Sequence, residues 1–214
     1  MKPLNIIFLG RSGSGKGTQA ELLIKRFKLV NIDTGDILRG LTKRKDKFGK
    51  TVLETISKGK LVPIWLVTYC WMGQLLKIPS KKGIIMEGSP RLLEEAKILE
   101  QVFSWLNREN FKVIYLQTSE KEVTKRLLVR RICSKCGMEF SLSLTPNLKK
   151  CSHCGGKLIR RKDDYPKAIK NRMLFFQKKI LPVINYFQKK KIVIYVDGEG
   201  SVQEIHNRIL KKLS

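Results

Sequence analysis

No apolar run in this sequence approaches the ~20 residues that a bilayer-spanning helix needs, so no membrane partner is expected. The opening stretch through Leu4–Leu9 is too short, and has no small-residue cleavage site, to be a secretion signal. It reads instead as a first strand, and a cytoplasmic location is expected. Internal repeats and low-complexity linkers are also lacking. At 214 residues, 42% of them hydrophobic, the chain suits one globular domain with a buried core and at most small insertions. Acidic residues are scarce: 18 Asp and Glu stand against 44 Lys and Arg, a formal net charge of +26. Such an excess points to nucleic acid, an anionic membrane or an anionic substrate, or to no more than a uniformly basic surface. Of only five cysteines, four form two C-x-x-C pairs. Cys70, alone in an apolar stretch, reads as a core thiol. The pairs look like metal chemistry and not a disulfide framework.

What is present is a regular alternation of strand and helix patterns. Nearly continuous apolar runs at Leu4–Leu9, Lys28–Ile32, Gly83–Glu87, Phe111–Gln117 and Ile192–Asp197 are expected for strands covered on both faces. Helical patterns lie at Gly15–Phe27, Leu92–Asn107, Glu120–Arg131 and Ala168–Lys190, and Pro182 should kink or divide the last. The alternation predicts an α/β protein with a roughly five-stranded parallel sheet and helices on both faces. Two regions interrupt the rhythm. Asp33–Lys77 holds several helical patterns, and Cys133–Lys162 is turn-rich and poor in strand signal.

Gly10-Arg11-Ser12-Gly13-Ser14-Gly15-Lys16 follows the first strand and opens a helix, matching the phosphate-loop pattern G-x-x-x-x-G-K. Its glycines let backbone N–H groups wrap an anion, and the helix N-terminus adds a favourable dipole. Lys16 supplies a mobile positive charge. Gly17 stands where many such loops have a hydroxyl, and Thr18 follows with one. A Gly-rich turn with a surface lysine does not explain three glycines and a lysine at these positions.

Cys133-Ser134-Lys135-Cys136 and Cys151-Ser152-His153-Cys154 are 14 residues apart. Two knuckles at this spacing predict a tetrahedral Cys₄ site for a structural zinc, with no open position for chemistry. Gly137 and Gly155-Gly156 follow each second cysteine, as tight knuckle turns need. His153 reads as a solvent-exposed residue and not as a ligand. A redox disulfide pair is the weaker alternative.

Taken together, these segments resemble the adenylate kinase family over about residues 4–212. Gly13-Ser14-Gly15-Lys16-Gly17-Thr18-Gln19 is similar to its phosphate loop, and Thr34-Gly35-Asp36-Ile37-Leu38-Arg39 to its T-G-D-x-L-R segment. Gly59-Lys60-Leu61-Val62-Pro63 is similar to its acceptor hinge, and Glu87-Gly88-Ser89-Pro90-Arg91 to D-G-F-P-R. Arg161-Lys162-Asp163-Asp164 with Arg172 is similar to the segment closing the lid, and Asp197-Gly198 to the end of the last strand. The resemblance implies a P-loop kinase core (1–32, 63–129 and 163–214), a helical insertion for the acceptor monophosphate (33–62) and a zinc-binding lid (130–162). It implies catalytic charges on Lys16, Arg91, Arg126, Arg130, Arg161 and Arg172. ATP would be held by Gly13, Ser14, Gly15, Lys16, Gly17, Thr18, Arg130, Glu139, Phe140 and Gly200. AMP would be held by Thr34, Arg39, Lys60, Leu61, Val62, Gly88, Ser89, Pro90, Arg91, Glu95, Arg161 and Arg172. Mg²⁺ would be held through water by Glu87 and Asp36, and zinc by Cys133, Cys136, Cys151 and Cys154. The implied reaction is ATP + AMP = 2 ADP in a monomer.

Several positions depart from the family. Ser12 and Ser89 replace Pro and Phe, Ile64-Trp65 replaces an acidic pair, and Glu87 replaces an Asp, one methylene further out. Glu95 replaces the Gln that reads the acceptor base. An ionised Glu is acceptor-only, so acceptor choice shifts unless Glu95 turns to an arginine such as Arg39 or Arg91. GMP, CMP or UMP are the alternative acceptors. A different class, a nucleic-acid-associated zinc ribbon, draws on the 15 Lys and Arg against four Asp and Glu between Lys121 and Arg172.

Overall fold

The structure, a computed structural model, describes residues 3–57, 60–142, 145–161 and 163–213. Gly59 of the hinge and Lys162 at the lid boundary lie outside them. Five strands, β1 (Asn5–Gly10), β2 (Val30–Asp33), β3 (Ile84–Glu87), β4 (Phe111–Gln117) and β8 (Val193–Asp197), form one sheet in the order β2-β3-β1-β4-β8. Every pairing is parallel. The five expected strands are therefore all present. Their apolar continuity has a direct cause, because each face of the sheet is covered. Trp71, Leu75, Leu99, Phe103, Val183 and Phe187 pack one face, from helices α4 (Ile64–Leu75), α5 (Leu93–Trp105) and α8 (Leu181–Lys189). Ala20 and Leu23 of α1 (Lys16–Phe27) and Ile205 and Ile209 of α9 (Val202–Leu213) pack the other.

Between β2 and β3 the chain inserts α2 (Thr34–Leu41) and α3 (Lys47–Ser57) before α4. They close over a small core of Val52, Val62, Leu66 and Cys70, so Cys70 is the buried thiol its surroundings predict. After α6 (Glu120–Val129) the chain leaves the main sheet for a three-stranded antiparallel one. Its strands are β5 (Arg130–Cys133), β6 (Glu139–Ser141) and β7 (Leu158–Ile159), in the order β6-β5-β7. The α6 helix therefore ends two residues before the expected Arg131, and the lid holds more strand than its turn-rich sequence predicts. The cysteine knuckles pin strands too short to signal themselves.

The long C-terminal helical pattern is divided just before Pro182, as expected, with the proline in the first turn of the second helix. Helix α7 (Pro166–Phe175) runs into a π-helical stretch, Phe176–Ile180, and then into α8. The Leu181 N–H donates to the Phe176 carbonyl, five residues back. One widened turn absorbs the missing N–H and the ring of Pro182. Arg108 is an unexpected feature. It is buried and donates to Asn5 Oδ1 at 2.9 Å and to the carbonyls of Lys82 and Pro79 at 2.8 Å each. It ties the loop entering β3 to the start of β1.

Candidate functional site

All five strands are parallel, so their C-terminal ends share one edge, and Gly10, Asp33, Glu87, Gln117 and Asp197 line it. Gly10 opens the loop with φ 149°, and Gly13 and Gly15 hold φ 83° and 96°. A Cβ on Gly13 would meet Leu127 Cγ of α6 at 2.8 Å, so glycine there is required by packing as well as by backbone conformation. Lys16, the first residue of α1, donates to the carbonyls of Arg11 at 2.8 Å and Gly10 at 3.1 Å. Burial pulls its ammonium down to about 8, against the opposing pull of Glu87.

Asp33 and Glu87 are register partners on β2 and β3. Burial, reinforced by the Asp33 charge, pushes the Glu87 carboxyl up to about 8. Asp33 also caps α2, accepting from the Asp36 N–H at 3.1 Å. Asp36 itself is bound by the Arg39 guanidinium through Oδ1. The carboxylate beside Glu87 is thus Asp33, while Asp36 is committed to Arg39.

Gly88 follows with φ 77°, and a Cβ there would stand 3.2 Å from the Gly35 nitrogen and 3.5 Å from Thr34 Cβ. This close approach brings Thr34 against the Gly88–Arg91 turn. The Arg91 Nε donates to the Gly88 carbonyl at 2.7 Å. Glu95 Oε2 accepts from the Arg91 backbone N–H at 2.7 Å. Glu95 therefore engages the main chain of Arg91 and not its guanidinium. Three polar atoms on these segments, Thr34 Oγ1, Ser89 Oγ and Glu95 Oε1, are buried without a hydrogen-bond partner. Groups of that kind are costly unless a ligand completes them. Between the phosphate loop and this turn lies a cavity of about 120 Å³, lined by Gly10, Ser12, Lys16, Gly88–Arg91 and Arg172 among others.

The remaining arginines converge from α6, β5 and α7. Arg126 Nη1 donates to the Ser14 carbonyl at 3.2 Å, with its Nε on Glu122 at 2.8 Å. Arg130 grips Asp164 with two parallel bonds, Nε to Oδ2 at 2.7 Å and Nη2 to Oδ1 at 2.8 Å. The same Asp164 accepts from Arg172 Nη2 at 2.9 Å. Glu139 bridges Arg130 at 3.0 Å and Arg161 at 2.6 Å. Asp163 binds Arg161 at 2.7 Å and Arg172 at 2.9 Å. Burial pushes the Asp164 carboxyl up, but the bonds and charges of Arg130 and Arg172 win and hold it below the usual carboxylate range.

The four lid cysteines gather their sulfurs within 4.8 Å of one another. Cys133 and Cys154 Sγ are 3.4 Å apart, and Cys136 and Cys151 Sγ 3.6 Å. These gaps far exceed a disulfide bond of ~2.05 Å. They approach the ~3.8 Å edge of a tetrahedron built on ~2.3 Å metal–sulfur bonds. The two knuckles are near copies. Gly137 N–H returns to the Cys133 carbonyl at 3.0 Å, and Gly155 N–H to that of Cys151 at 2.9 Å. The N–H groups of Cys136 and then Lys135, aimed at Cys133 Sγ, bring its thiol down to about 6, while, against the opposing pull of the Met138 N–H, burial and the neighbouring thiols push Cys136 up to about 12, so the cluster shares its protons unevenly.

A family model described as adenylate kinase matches residues 8–192. The adenylate kinase of Thermosipho africanus is 37% identical over 209 residues, covering 97% of this chain and 98% of that protein. That of Caldicellulosiruptor bescii is 34% identical over 212 residues, covering 98% and 99%. That of Archaeoglobus fulgidus is 35% identical over 208 residues, covering 96% of each. This chain belongs to the adenylate kinase family.

In this chain, the structure brings Lys16, Ser89, Pro90, Arg91 and Arg172 to one cavity, with Arg126 against the adjoining loop. Gly17 lies 3.7 Å, by an added Cβ, from Glu87 Oε2, while Thr18 is exposed. Lys60 and Leu61 are exposed, whereas Val62 turns into the insertion's core. Phe140 pairs with Arg131 in the lid sheet. Gly200 lies in the turn after β8 with φ 106°, where an added Cβ would meet Glu204 Oε2 at 2.8 Å. Three residues escaped sequence reasoning as site residues. Asp33 was hidden because a strand-end carboxylate has no pattern of its own, though its place just before Thr34 was a usable signal. Asp163 and Asp164 were legible only as part of a basic-acidic string, with no sign of which arginines they hold.

Proposed function

We infer that this chain transfers the γ-phosphoryl group of ATP to the phosphate of AMP, giving two ADP. The observation that carries the reading is the convergence of Lys16, Arg91 and Arg172 on one cavity between the phosphate loop and the Gly88–Arg91 turn. In the transfer, the bond from γ-phosphorus to the bridging oxygen breaks as an AMP phosphate oxygen bonds to that phosphorus. Such chemistry needs positioning and charge neutralisation above all. Fixed guanidinium donors and an ammonium in a water-poor pocket supply both. The unpartnered Thr34 Oγ1, Ser89 Oγ and Glu95 Oε1 supply the polar acceptors and donors that an AMP would complete.

Residues 33–62 act in this reading as the acceptor-binding insertion and 130–162 as the lid, with the rest as core. Arg126 and Arg130 enter the lid and Arg161 leaves it, so closure carries charge onto the phosphates and sheds water. Glu87 and Asp33, adjacent at the sheet edge, would hold Mg²⁺ through its water shell, and the ion would neutralise the phosphate charge. Cys133, Cys136, Cys151 and Cys154 would hold a zinc that fixes the lid's shape. In this reading the enzyme acts as a monomer in the cytoplasm. The zinc-ribbon nucleic-acid reading accounts for the lid but not for the convergence of Lys16, Arg91 and Arg172 on the cavity beside the phosphate loop. The test is a coupled phosphotransfer assay with ATP and each of AMP, GMP, CMP and UMP. AMP is expected to give the highest kcat/KM, and transfer to none of the four would refute the proposal.

A further inference from the structure

Helix α4 contains no charged residue, in a chain in which 29% of residues are charged. A helix apolar all round is normally buried, and Leu66, Cys70, Trp71 and Leu75 of α4 are. Its other face is not. Trp65, Tyr69, Met72 and Leu76 are spaced i, i+4, i+7 and i+11, one stripe along the helix, and Trp65, Tyr69 and Leu76 are 65%, 69% and 63% exposed. The stripe continues across a groove of about 410 Å³, lined by Met72, Leu76, Gln101, Val102, Trp105 and Leu106. Trp105, the last residue of α5, is 86% exposed. The molecule thus spends two of its three tryptophans on one open face, while the third, Trp71, is fully buried.

Charge surrounds this face on one side. Helices α4, α5 and α8 lead into β3, β4 and β8, and because those strands are parallel the three helix ends meet at one edge of the sheet. That edge is opposite the phosphate loop. Leu76 and Trp105 stand there beside exposed Lys77, Lys81 and Lys82 after α4, and Lys189 and Lys191 at the end of α8. We propose that this edge and the α4 stripe dock on an anionic lipid bilayer, such as the cytoplasmic leaflet, with Trp105, Leu76 and Tyr69 entering the headgroup boundary and the lysines meeting the phosphates.

Three observations choose lipid over other occupants. Trp65, Tyr69 and Trp105 are each about two thirds or more exposed, and the groove beside Trp105 is shallow enough to leave that ring 86% exposed, which suits a fluid phase that moulds around them. Trp and Tyr beside Lys is the composition of membrane-interface segments. A second copy of the chain would bring another +26 of charge onto this face, which opposes pairing. The docked protein keeps the phosphate loop facing away from the bilayer and open to nucleotide. The sequence-based expectation of no membrane partner rested on the lack of a spanning run, and docking needs none.

The test sediments the full chain with vesicles of phosphatidylcholine alone and of phosphatidylcholine with phosphatidylglycerol, at low and high salt. A Trp65→Phe background leaves Trp105 as the exposed fluorophore. Binding is expected only to the anionic vesicles, weakening with salt, with a blue shift of tryptophan emission. Trp105→Ser should weaken partitioning roughly tenfold or more through lost apolar burial. The triple change Lys77→Gln, Lys81→Gln, Lys82→Gln should weaken it on the order of a hundredfold. Unchanged melting and phosphotransfer in solution show that both variants are folded. The proposal is overturned if no vesicles are bound. It is equally overturned if Trp105→Ser binds like wild type without a blue shift, which would mark diffuse charge attraction. A dimer in sedimentation equilibrium that Trp105→Ser converts to monomer, with vesicles ignored, would assign the face to a second copy instead.

Discussion

Replacing Asp164 by Ala should cost the fold about 3–5 kcal/mol at neutral pH, the range for removing one partner of a buried ion pair. The Asp164 side chain is fully buried and accepts three guanidinium bonds, two from Arg130 and one from Arg172, at 2.7, 2.8 and 2.9 Å. Each charge-assisted bond contributes roughly 1.5–3 kcal/mol, but the loss is less than their sum. Arg130 keeps Glu139 at 3.0 Å, and Arg172 keeps Asp163 at 2.9 Å. The lower end is therefore expected, about 3 kcal/mol. At about 2–4 °C per kcal/mol for a chain of this size, Tm should fall by roughly 6–12 °C. The pH dependence has a definite sign. Arg130 and Arg172 hold the folded-state pKa of Asp164 below its unfolded value. The stabilisation is then complete above the unfolded value of about 3.9, and is lost as pH falls through the folded one. Urea titrations of wild type and Asp164→Ala from pH 7 to pH 3 measure this directly. A difference below ~1 kcal/mol at pH 7, the level of an exposed pair, would refute the reasoning. So would a difference that stays constant or grows as the pH drops below the unfolded pKa.

Two further outcomes follow from the lid and from Glu95. Freshly purified, reduced protein should contain about one zinc per chain, and chelation should lower Tm because metal binding is coupled to folding of such a site. Elemental analysis finding no metal, or a Cys151→Ser variant with full metal content, would reject the assignment. Glu95→Gln keeps an oxygen for the Arg91 N–H and adds an NH₂ donor at the position of the unpartnered Oε1. It should raise the AMP:GMP ratio of kcat/KM by roughly ten- to a hundredfold, the worth of one mismatched buried polar group at about 1–3 kcal/mol. Identical ratios in the two proteins would show that Glu95 serves only to seat Arg91.

The sheet was legible in the sequence because parallel strands buried on both faces must be apolar along most of their length, as Ile6–Leu9 of β1 and Val113–Leu116 of β4 are. The phosphate loop and the cysteine knuckles were legible because their chemistry demands glycines and thiols at fixed spacing. The lid sheet was not, since β7 spans only Leu158 and Ile159 and is held by the knuckles, not by its own propensity. Pro182 marked where the last helical pattern divides, but the π-helical form of the junction, Phe176–Ile180, leaves no mark in side-chain periodicity. Asp33 and Asp36 are three residues apart and could not be told apart in the sequence, because they differ only in which partner each reaches. Asp36 reaches Arg39, and Asp33 stands beside Glu87. Register across β2 and β3 decides that, and register is a property of the pairing, not of either strand.

The central claim is that Lys16 and Arg91 neutralise charge in a single phosphoryl-transfer site. Its most direct test is the initial rate of ADP formation from ATP and AMP by wild type, Lys16→Met and Arg91→Ala, with each variant shown to melt like wild type. Each substitution is predicted to lower kcat by roughly 10²-fold or more, the effect of removing one preorganised donor. Turnover near the wild-type rate in both variants would contradict the assignment of this cavity as the active site.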